Sequence, residues 1–458
     1  MAGPRVTFPN VADLMSSVLF GTDGVRGVPG TPPLDGVTIA CLGAALAEEL
    51  GGAPRIACGR DTRDSGTWVE RWFASGVRAR GGLPVGIGVV PTPGVAVITA
   101  RHGFDAGVAV SASHNRHPDN GIKILLASGA KASVELEGRI EARVASARAA
   151  GTAPADPGPP LDTANLLQAY LDHLLGIVEG ADVAGLPIAI DCAHGATSGV
   201  ASRVLERLGV PVVELHASPD GRNINENSGS THPERLRAAV LEHRCRLGFA
   251  FDGDGDRVIL VDGRGRIVDG DGVLFVAARH LHRAGRLAAG GVVATVMSNF
   301  GLEAALGEYG IALHRCPVGD AHVRAEMERR GVCLGGEQSG HVIFSDLLPT
   351  GDGLGTALSV LRIVAETGCD LADLMSDLCI LPQALLSVPV ARKPNLGEVP
   401  AIGKAIRSAE ARLAGAGRVL VRYSGTEPVL RVMIEGRERG VVQRLAEGVA
   451  ACARRELA

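Results

Sequence analysis

Between Arg55 and Ala149 short apolar runs alternate with longer stretches of helical period. The runs Arg55–Cys58, Leu83–Val90 and Ala106–Val110 have the length of strands, and the amphipathic stretches between them have the length of helices. That alternation predicts βαβ units around a mostly parallel sheet. The segment GTAPADPGPP at Gly151–Pro160 interrupts the rhythm and reads as a linker. A second alternating unit runs through LPIAIDCAHGATSG to about Ala250, and a third to about Thr367. The shared rhythm of the three hints at internal duplication. Leu381–Pro400 reads as irregular and leads into a final unit of mixed pattern. The expected fold class is α/β: three successive α/β domains with mixed, mostly parallel sheets plus a C-terminal α+β domain, with the active site in a central cleft. The expected boundaries are 1–154, 155–250, 251–370 and 371–458.

Inside the third of these units lies GFAFDGDGDRVILVD, where Asp252, Asp254 and Asp256 alternate with glycines between two apolar runs, Gly248–Phe251 and Val258–Val261. Glycine has no Cβ, so the backbone can turn tightly and bring three carboxylates to one point. Three crowded acids repel one another unless a cation joins them. An EF-hand aligned on Asp252 needs Gly where this chain has Arg257, and Glu where it has Gly263, so a calcium-sensor loop is excluded. Three carboxylates leave coordination positions for water or phosphate oxygen, which suits Mg²⁺.

Three other loops carry polar groups suited to phosphate and sugar. After the apolar run Ala106–Val110, the segment SASHN places Ser113 beside His114 and Asn115, with Lys123 downstream. It lacks the Gly-x-Ser-x-Gly surround of an α/β-hydrolase nucleophile. LGGEQSGHVIF offers Glu337 and Ser339 for sugar hydroxyl groups and His341 for proton transfer. In VLVRYSGTEPVLRVMIEG, Arg422, Ser424, Gly425, Thr426 and Arg431 surround a turn between apolar strands and make a phosphate cradle.

Taken in order, FGTDGVRG, SASHN with DNGIK, NINENSGSTHPE, DGDGDR, ATVMSN, GGEQSGH, TGDG and RYSGTEP make the chain resemble the α-D-phosphohexomutase superfamily over essentially its whole length. Within it the chain is most similar to the bacterial phosphoglucosamine mutases, because Gln338 follows Glu337 where the glucose and mannose mutases typically carry Met. The resemblance implies that Ser113 carries a phosphoryl group. It also implies that one Mg²⁺ per subunit is held by Asp252, Asp254, Asp256 and phosphorylated Ser113. Glu337 and Ser339 would hold the sugar, while Arg422, Ser424, Gly425, Thr426 and Arg431 hold its distal phosphate. Lys123 and His341 are the candidate proton acceptors, and Arg257 with Lys123 offsets phosphate charge. The implied reaction exchanges glucosamine 6-phosphate and glucosamine 1-phosphate through a bisphosphorylated sugar and supplies UDP-N-acetylglucosamine and cell-wall precursors. A hexose or hexosamine 1,6-bisphosphate would be the activator. The alternatives are a phosphoglucomutase or phosphomannomutase, a phosphosugar hydrolase and a silent sugar-phosphate binder. Departures from the family pattern occur at Arg116, at Ala321 with His322, and at Tyr423. The segment Met1–Leu14 extends beyond the usual family start, and Met15 offers a second one.

Composition narrows the partners. With 46 basic and 50 acidic residues interspersed and a net charge of −4, no basic stripe points to nucleic acid. No apolar run approaches the roughly 18 residues of a membrane span. Nine scattered cysteines without a CxxC pair fit reduced thiols in the cytoplasm rather than a disulfide framework. The expected partner is a small sugar phosphate, with a homodimer left open.

Overall fold

A computed structural model describes residues 19–21, 23–151, 156–424 and 428–457. Its contacts divide the chain into two compact units, Met1–Val296 with His314–Met375, and Met297–Leu313 with Ser376–Ala458.

The first unit begins with a five-stranded sheet of β1 (Val25–Gly27), β2 (Arg55–Arg60), β3 (Leu83–Val89), β4 (Ala106–Val110) and β5 (Asn120–Leu126), in the order β1-β5-β4-β2-β3. Strands β4, β2 and β3 run parallel, and β5 returns antiparallel to β4. The apolar run Ala106–Val110 forms the strand it predicts and is buried throughout. Strand β5 escapes the pattern because DNGIKI begins with a polar turn and carries Lys123 in its middle. Ile56, Val108, Ile122 and Ile124 pack with Phe73 of the helix Gly66–Ala79 into the core of this sheet.

The second sheet repeats the plan. It contains β6 (Ile188–Asp191), β7 (Val212–Leu215), β8 (Leu247–Phe251), β9 (Val258–Asp262) and β10 (Ile267–Val268), in the order β10-β9-β8-β6-β7. Strands β7, β6 and β8 are parallel, and β9 returns antiparallel to β8. A third sheet, of β11 (Gly291–Thr295), β12 (Ala312–Cys316), β13 (Leu334–Gly336) and β14 (Val342–Phe344), has the order β12-β11-β13-β14 and the same antiparallel return of β14 on β13. The returns β4–β5, β8–β9 and β13–β14 thus occupy equivalent places, and their connections carry Ser113, the three aspartates and Glu337–His341 in turn. The expected division at 250/251 falls inside β8, so the aspartate loop belongs to the second sheet and not to a third unit with the sugar loop.

The linker reading at Gly151–Pro160 covers residues 152–155, which lie outside the described residues; Arg71 and Arg78 donate to the carbonyls of Gly158 and Pro159 beyond them. In the C-terminal unit β15 (Gln383–Pro389), β16 (Gly417–Tyr423) and β17 (Val429–Gly436) form an antiparallel sheet in the order β15-β17-β16. Strand β15 corrects the irregular reading of Leu381–Pro400. Prolines at 382 and 389 bound it and mask its alternation, in which Ala384 and Val388 point inward. Met1–Leu14 and Met15 lie outside the described residues. No helix among the described residues is long and apolar enough to cross a membrane.

One buried acid in the first domain gives a stability test. Burial pushes Glu70, on the helix Gly66–Ala79, up to about 7, against the opposing pull of Arg60. A raised carboxyl adds stability below its unfolded value and loses it as pH rises through the folded value. Glu70→Gln removes that loss, so relative to the native protein it gains on the order of 3 kcal/mol between pH 4.5 and pH 8. Chemical denaturation of both proteins across that range checks this, and a difference independent of pH contradicts it.

Candidate active site

Three loops from the three sheets meet around Ser113. Its hydroxyl donates to Asp252 Oδ2 at 2.6 Å, and both residues are fully buried. Ser113 sits at φ 54°, a left-handed conformation that a serine adopts at a cost. Surrounding groups hold it there. The Ser113 N–H donates to Ser111 Oγ at 2.9 Å, and Ser111 Oγ donates to Asp61 Oδ2 at 2.6 Å. Arg63 pairs with Asp61 at 2.9 Å and donates to the carbonyls of Ser113, Asn115 and Arg116. Asn225 Nδ2 donates to the Ser113 and Asn115 carbonyls, at 2.8 Å each. Gly253 is required beside this loop, because a Cβ there would lie 2.6 Å from the Ser113 carbonyl oxygen.

The aspartates converge as their spacing predicts. Ligand atoms of Asp252, Asp254 and Asp256 lie within 4.8 Å of one another, and all three residues are buried. Lys123 Nζ reaches Asp254 at 2.8 Å, and Asp256 and Asp23 at 3.0 Å. Thr92 Oγ1 donates to Asp254 Oδ2 at 2.5 Å. Two buried oxygens, Asp254 Oδ1 and Asp256 Oδ1, accept no hydrogen bond among the described residues. Orphaned buried carboxylate oxygens are costly in a protein interior, and a metal ion satisfies them. The donor set is three carboxyl groups, all oxygen, which fits a hard divalent cation.

Charge is distributed unevenly across the cluster. Burial, together with the charges of Asp256 and Asp254, pushes Asp252 well above the usual carboxylate range. Burial opposes the charge of Asp256 as well, but Lys123 and then His341 outweigh it and hold Asp256 well below that range. Lys123 also loses hydration, yet Asp23, Asp254 and Asp256 together hold it well above the ordinary lysine value. It is therefore an ammonium at neutral pH. Arg257 donates its backbone N–H to Asp252 and brings Nη1 to 3.0 Å from His114 Nδ1. Burial, with Arg257 and Arg26 beside it, pushes His114 down to about 4, so the imidazole is neutral and accepts from Arg257.

The loop between β13 and β14 supplies His341, with Nδ1 3.7 Å from Asp256 and Nε2 4.0 Å from Asp320. His341 Nε2 is buried and has no hydrogen-bond partner among the described residues. Glu337 Oε1 accepts the Gly319 N–H at 3.0 Å. Ser339 is exposed, and Gln338 Nε2 donates to Asp269 at 3.1 Å, where Asp269 caps the helix Gly270–Arg283. Gly270 packs on this loop so closely that a Cβ would lie 1.9 Å from the Glu337 carbonyl.

In the C-terminal unit Arg422 and Arg431 stand directly opposite each other on β16 and β17. Like charges in that position are unfavourable unless an anion joins them. Ser424 is buried beside them, and Lys393 Nζ donates to its carbonyl at 2.8 Å. Gly425 and Thr426 lie outside the described residues.

Four family descriptions of the phosphoglucomutase/phosphomannomutase type match the chain in order: the alpha/beta/alpha domains I, II and III over residues 17–150, 168–265 and 269–380, and the C-terminal domain over 385–451. The chain belongs to the phosphohexomutase family. This phosphohexomutase is 45% identical over 446 residues to the phosphoglucosamine mutase of Solibacter usitatus, covering 97% of this chain and 100% of that one. Its identity to the phosphoglucosamine mutase of Mycolicibacterium paratuberculosis is 45% over 439 residues, covering 94% and 98%. Its fold matches the crystal structure of a phosphoglucomutase/phosphomannomutase family protein from Burkholderia thailandensis with a TM-score of 0.78 and 26% identity, covering 96% and 97% of the two chains.

Sequence reasoning missed the groups that hold the Ser113 loop and Lys123 of this phosphohexomutase. Asp61 and Arg63 sit in GRDTR directly after β2, where charged residues following a buried strand are a usable signal. Asp23 and Arg26 lie in FGTDGVRG and Asn225 in NINENSG, strings that carry the resemblance but reveal no role without the fold. Lys131 ties Asp23 to Asp320, the first residue of the helix Asp320–Arg330. Arg63→Lys keeps a charge beside Asp61 but loses the guanidinium fork to three carbonyls, so it should cost about 3 kcal/mol of stability. Urea unfolding of the two proteins measures this, and a loss under about 0.5 kcal/mol means that Arg63 does not organise the loop.

Proposed function

We propose that the chain is a phosphosugar mutase that exchanges glucosamine 6-phosphate and glucosamine 1-phosphate, with Ser113 as the phosphoryl carrier. The observation that carries this reading is the 2.6 Å bond from the Ser113 hydroxyl to Asp252 inside the aspartate cluster. The glucosamine preference rests on the 45% identity to curated phosphoglucosamine mutases over nearly the whole chain.

The resident cofactor of this reading is Mg²⁺, which Asp252, Asp254 and Asp256 would hold beside Ser113. Bound there, it supplies electrostatic stabilisation of phosphoryl oxygens. The remaining chemistry falls to the chain's own groups. A sugar hydroxyl attacks the phosphorus, the bond from phosphorus to Ser113 Oγ breaks, and a sugar bisphosphate forms. The hydroxyl proton goes to His341 Nε2, which has no hydrogen-bond partner among the described residues while Nδ1 faces Asp256; Ser113 Oγ leaves as the alkoxide that attacks in the second half, when His341 returns the proton to the departing sugar oxygen. Lys123 is held as an ammonium and acts with Arg257 to offset phosphate charge, which leaves the base role to His341. In the second half the other phosphate returns to Ser113 and the isomerised monophosphate leaves. Glu337 and Ser339 bind sugar hydroxyl groups, while Arg422, Ser424, Gly425, Thr426 and Arg431 hold the non-reacting phosphate, with Lys393 added to that set. A hexosamine 1,6-bisphosphate restores any phosphate lost from Ser113. All nine cysteines are free and seven are buried, which suits a reducing cytoplasm.

Ser113→Ala should abolish turnover and remove one phosphate from the intact mass without unfolding the protein. A variant within about tenfold of native activity rules out the covalent route. Product analysis separates this reading from a phosphosugar hydrolase: isomerised sugar phosphate with little free phosphate supports the mutase, and stoichiometric phosphate release overturns it. Replacing Asp254 by Asn should lower kcat at least about a hundredfold. Excess chelator should do the same to the native protein, reversibly with Mg²⁺; full activity in chelator contradicts the metal assignment.

A further inference from the structure

A second cavity lies at the opposite end of β8 from the aspartates. It has a volume of about 400 Å³ and is lined by Pro187 before β6, Arg244, Cys245 and Arg246 before β8, Arg264 after β9, and Asp370. The five residues of β8 separate it from Asp252 by about 17 Å of strand. Sheets of this kind bind substrate outside the carboxyl ends of their parallel strands. This cavity opens at the amino ends of β6 and β8, so it does not belong to the site described above.

Its charge departs from that of the chain as a whole. The protein carries a net charge of −4, yet three arginines and one aspartate line this cavity, with Asp373 paired to Arg264 beside it. Arg246 Nε lies 2.8 Å from Asp370, and Arg264 Nη2 lies 2.5 Å from Asp373 on the segment that leads into the C-terminal unit. Arg266 already anchors that segment through the Ala372 carbonyl at 2.7 Å, so Arg246 and Arg264 are not needed to hold it. Arg244 adds a second observation. It sits at φ 52°, just past the helix Glu234–Glu242, where glycine is strongly preferred. Most other non-glycine residues in this conformation, namely Ser113, Ala193, His194, His216, Asn225 and Asn227, lie on loops at the carboxyl ends of the first two sheets. A side chain kept at a strained position, in a cavity of ligand size, is a mark of binding.

We propose that this cavity is a second anion site, which takes a small phosphorylated molecule between Arg244, Arg246 and Arg264. The guanidinium fork pairs with phosphate oxygens through two parallel hydrogen bonds, and three forks suit a pyrophosphate better than a single carboxylate. The inference stands on this cavity alone and holds whichever sugar phosphate the enzyme isomerises.

Hydrogen–deuterium exchange of the full chain, with inorganic pyrophosphate as the probe, locates binding without reference to activity. At about ten times the dissociation constant, exchange that proceeds through local opening should slow roughly tenfold. The expected protection covers residues 243–247, 262–266 and 368–374. Arg244→Gly relieves the backbone and should fold at least as stably as native, yet it should lose most of that protection, as should Arg264→Gln. Both variants should keep native kcat. Protection confined to the Ser113 and aspartate loops overturns the proposal. So does equal protection by sodium chloride at matched ionic strength, or full retention of the effect in both variants.

Discussion

Three carboxylates buried at one point are the constraint around which the catalytic unit is built. Left to themselves, Asp252, Asp254 and Asp256 would repel one another in a medium that screens poorly, and burial already drives Asp252 toward its neutral form. Lys123 resolves part of the conflict by bridging Asp254 and Asp256, and Asp23 holds the ammonium from a third side. What is left, two oxygens without a hydrogen bond among the described residues and a serine hydroxyl bonded to Asp252, is a cluster that a divalent cation would complete. The same arrangement defines the proton chemistry. Lys123, surrounded by carboxylates, is held as an ammonium, while His341 has one nitrogen toward Asp256 and the other without a hydrogen-bond partner among the described residues.

The fold delivers these groups by using one device three times. In each α/β sheet a late strand turns back antiparallel on its neighbour, and the turn carries one group of candidate residues: Ser113 after β4, the three aspartates after β8 and Glu337–His341 after β13. Each turn lies at a carboxyl end of its parallel strands, where α/β sheets place ligands. Positive φ at Ser113 shows the cost of the first of these turns, and Arg63 with Asn225 offsets it by gathering the carbonyls of the Ser113 loop.

Much of this was legible in the chain before any coordinates. The buried run Ala106–Val110 and the alternation of acids with glycines read directly as a strand and as a converging loop, because burial and carboxylate crowding leave a pattern in adjacent residues. The shared rhythm that suggested duplication appears in space as the repeated sheet order. What could not be read was whatever depends on pairing across sequence. Strand β5 was hidden by its polar start, and the aspartate hairpin was assigned to the wrong sheet because antiparallel return leaves no local mark. Asp61, Arg63 and Asp23 acquire meaning only beside partners tens or hundreds of residues away. Gln338 illustrates the limit from the other side: its side chain is engaged in the structure with the helix cap at Asp269.

The central claim is that a phosphoryl group on Ser113 and a divalent ion on the three aspartates share one site. Phosphorus NMR of the phosphorylated native enzyme, titrated with Mn²⁺ in place of Mg²⁺, tests that contact directly. The account predicts that the phosphoserine signal broadens away at stoichiometric Mn²⁺ and stays sharp in Asp254→Asn under the same conditions. A native phosphoserine signal untouched by stoichiometric Mn²⁺ would contradict it.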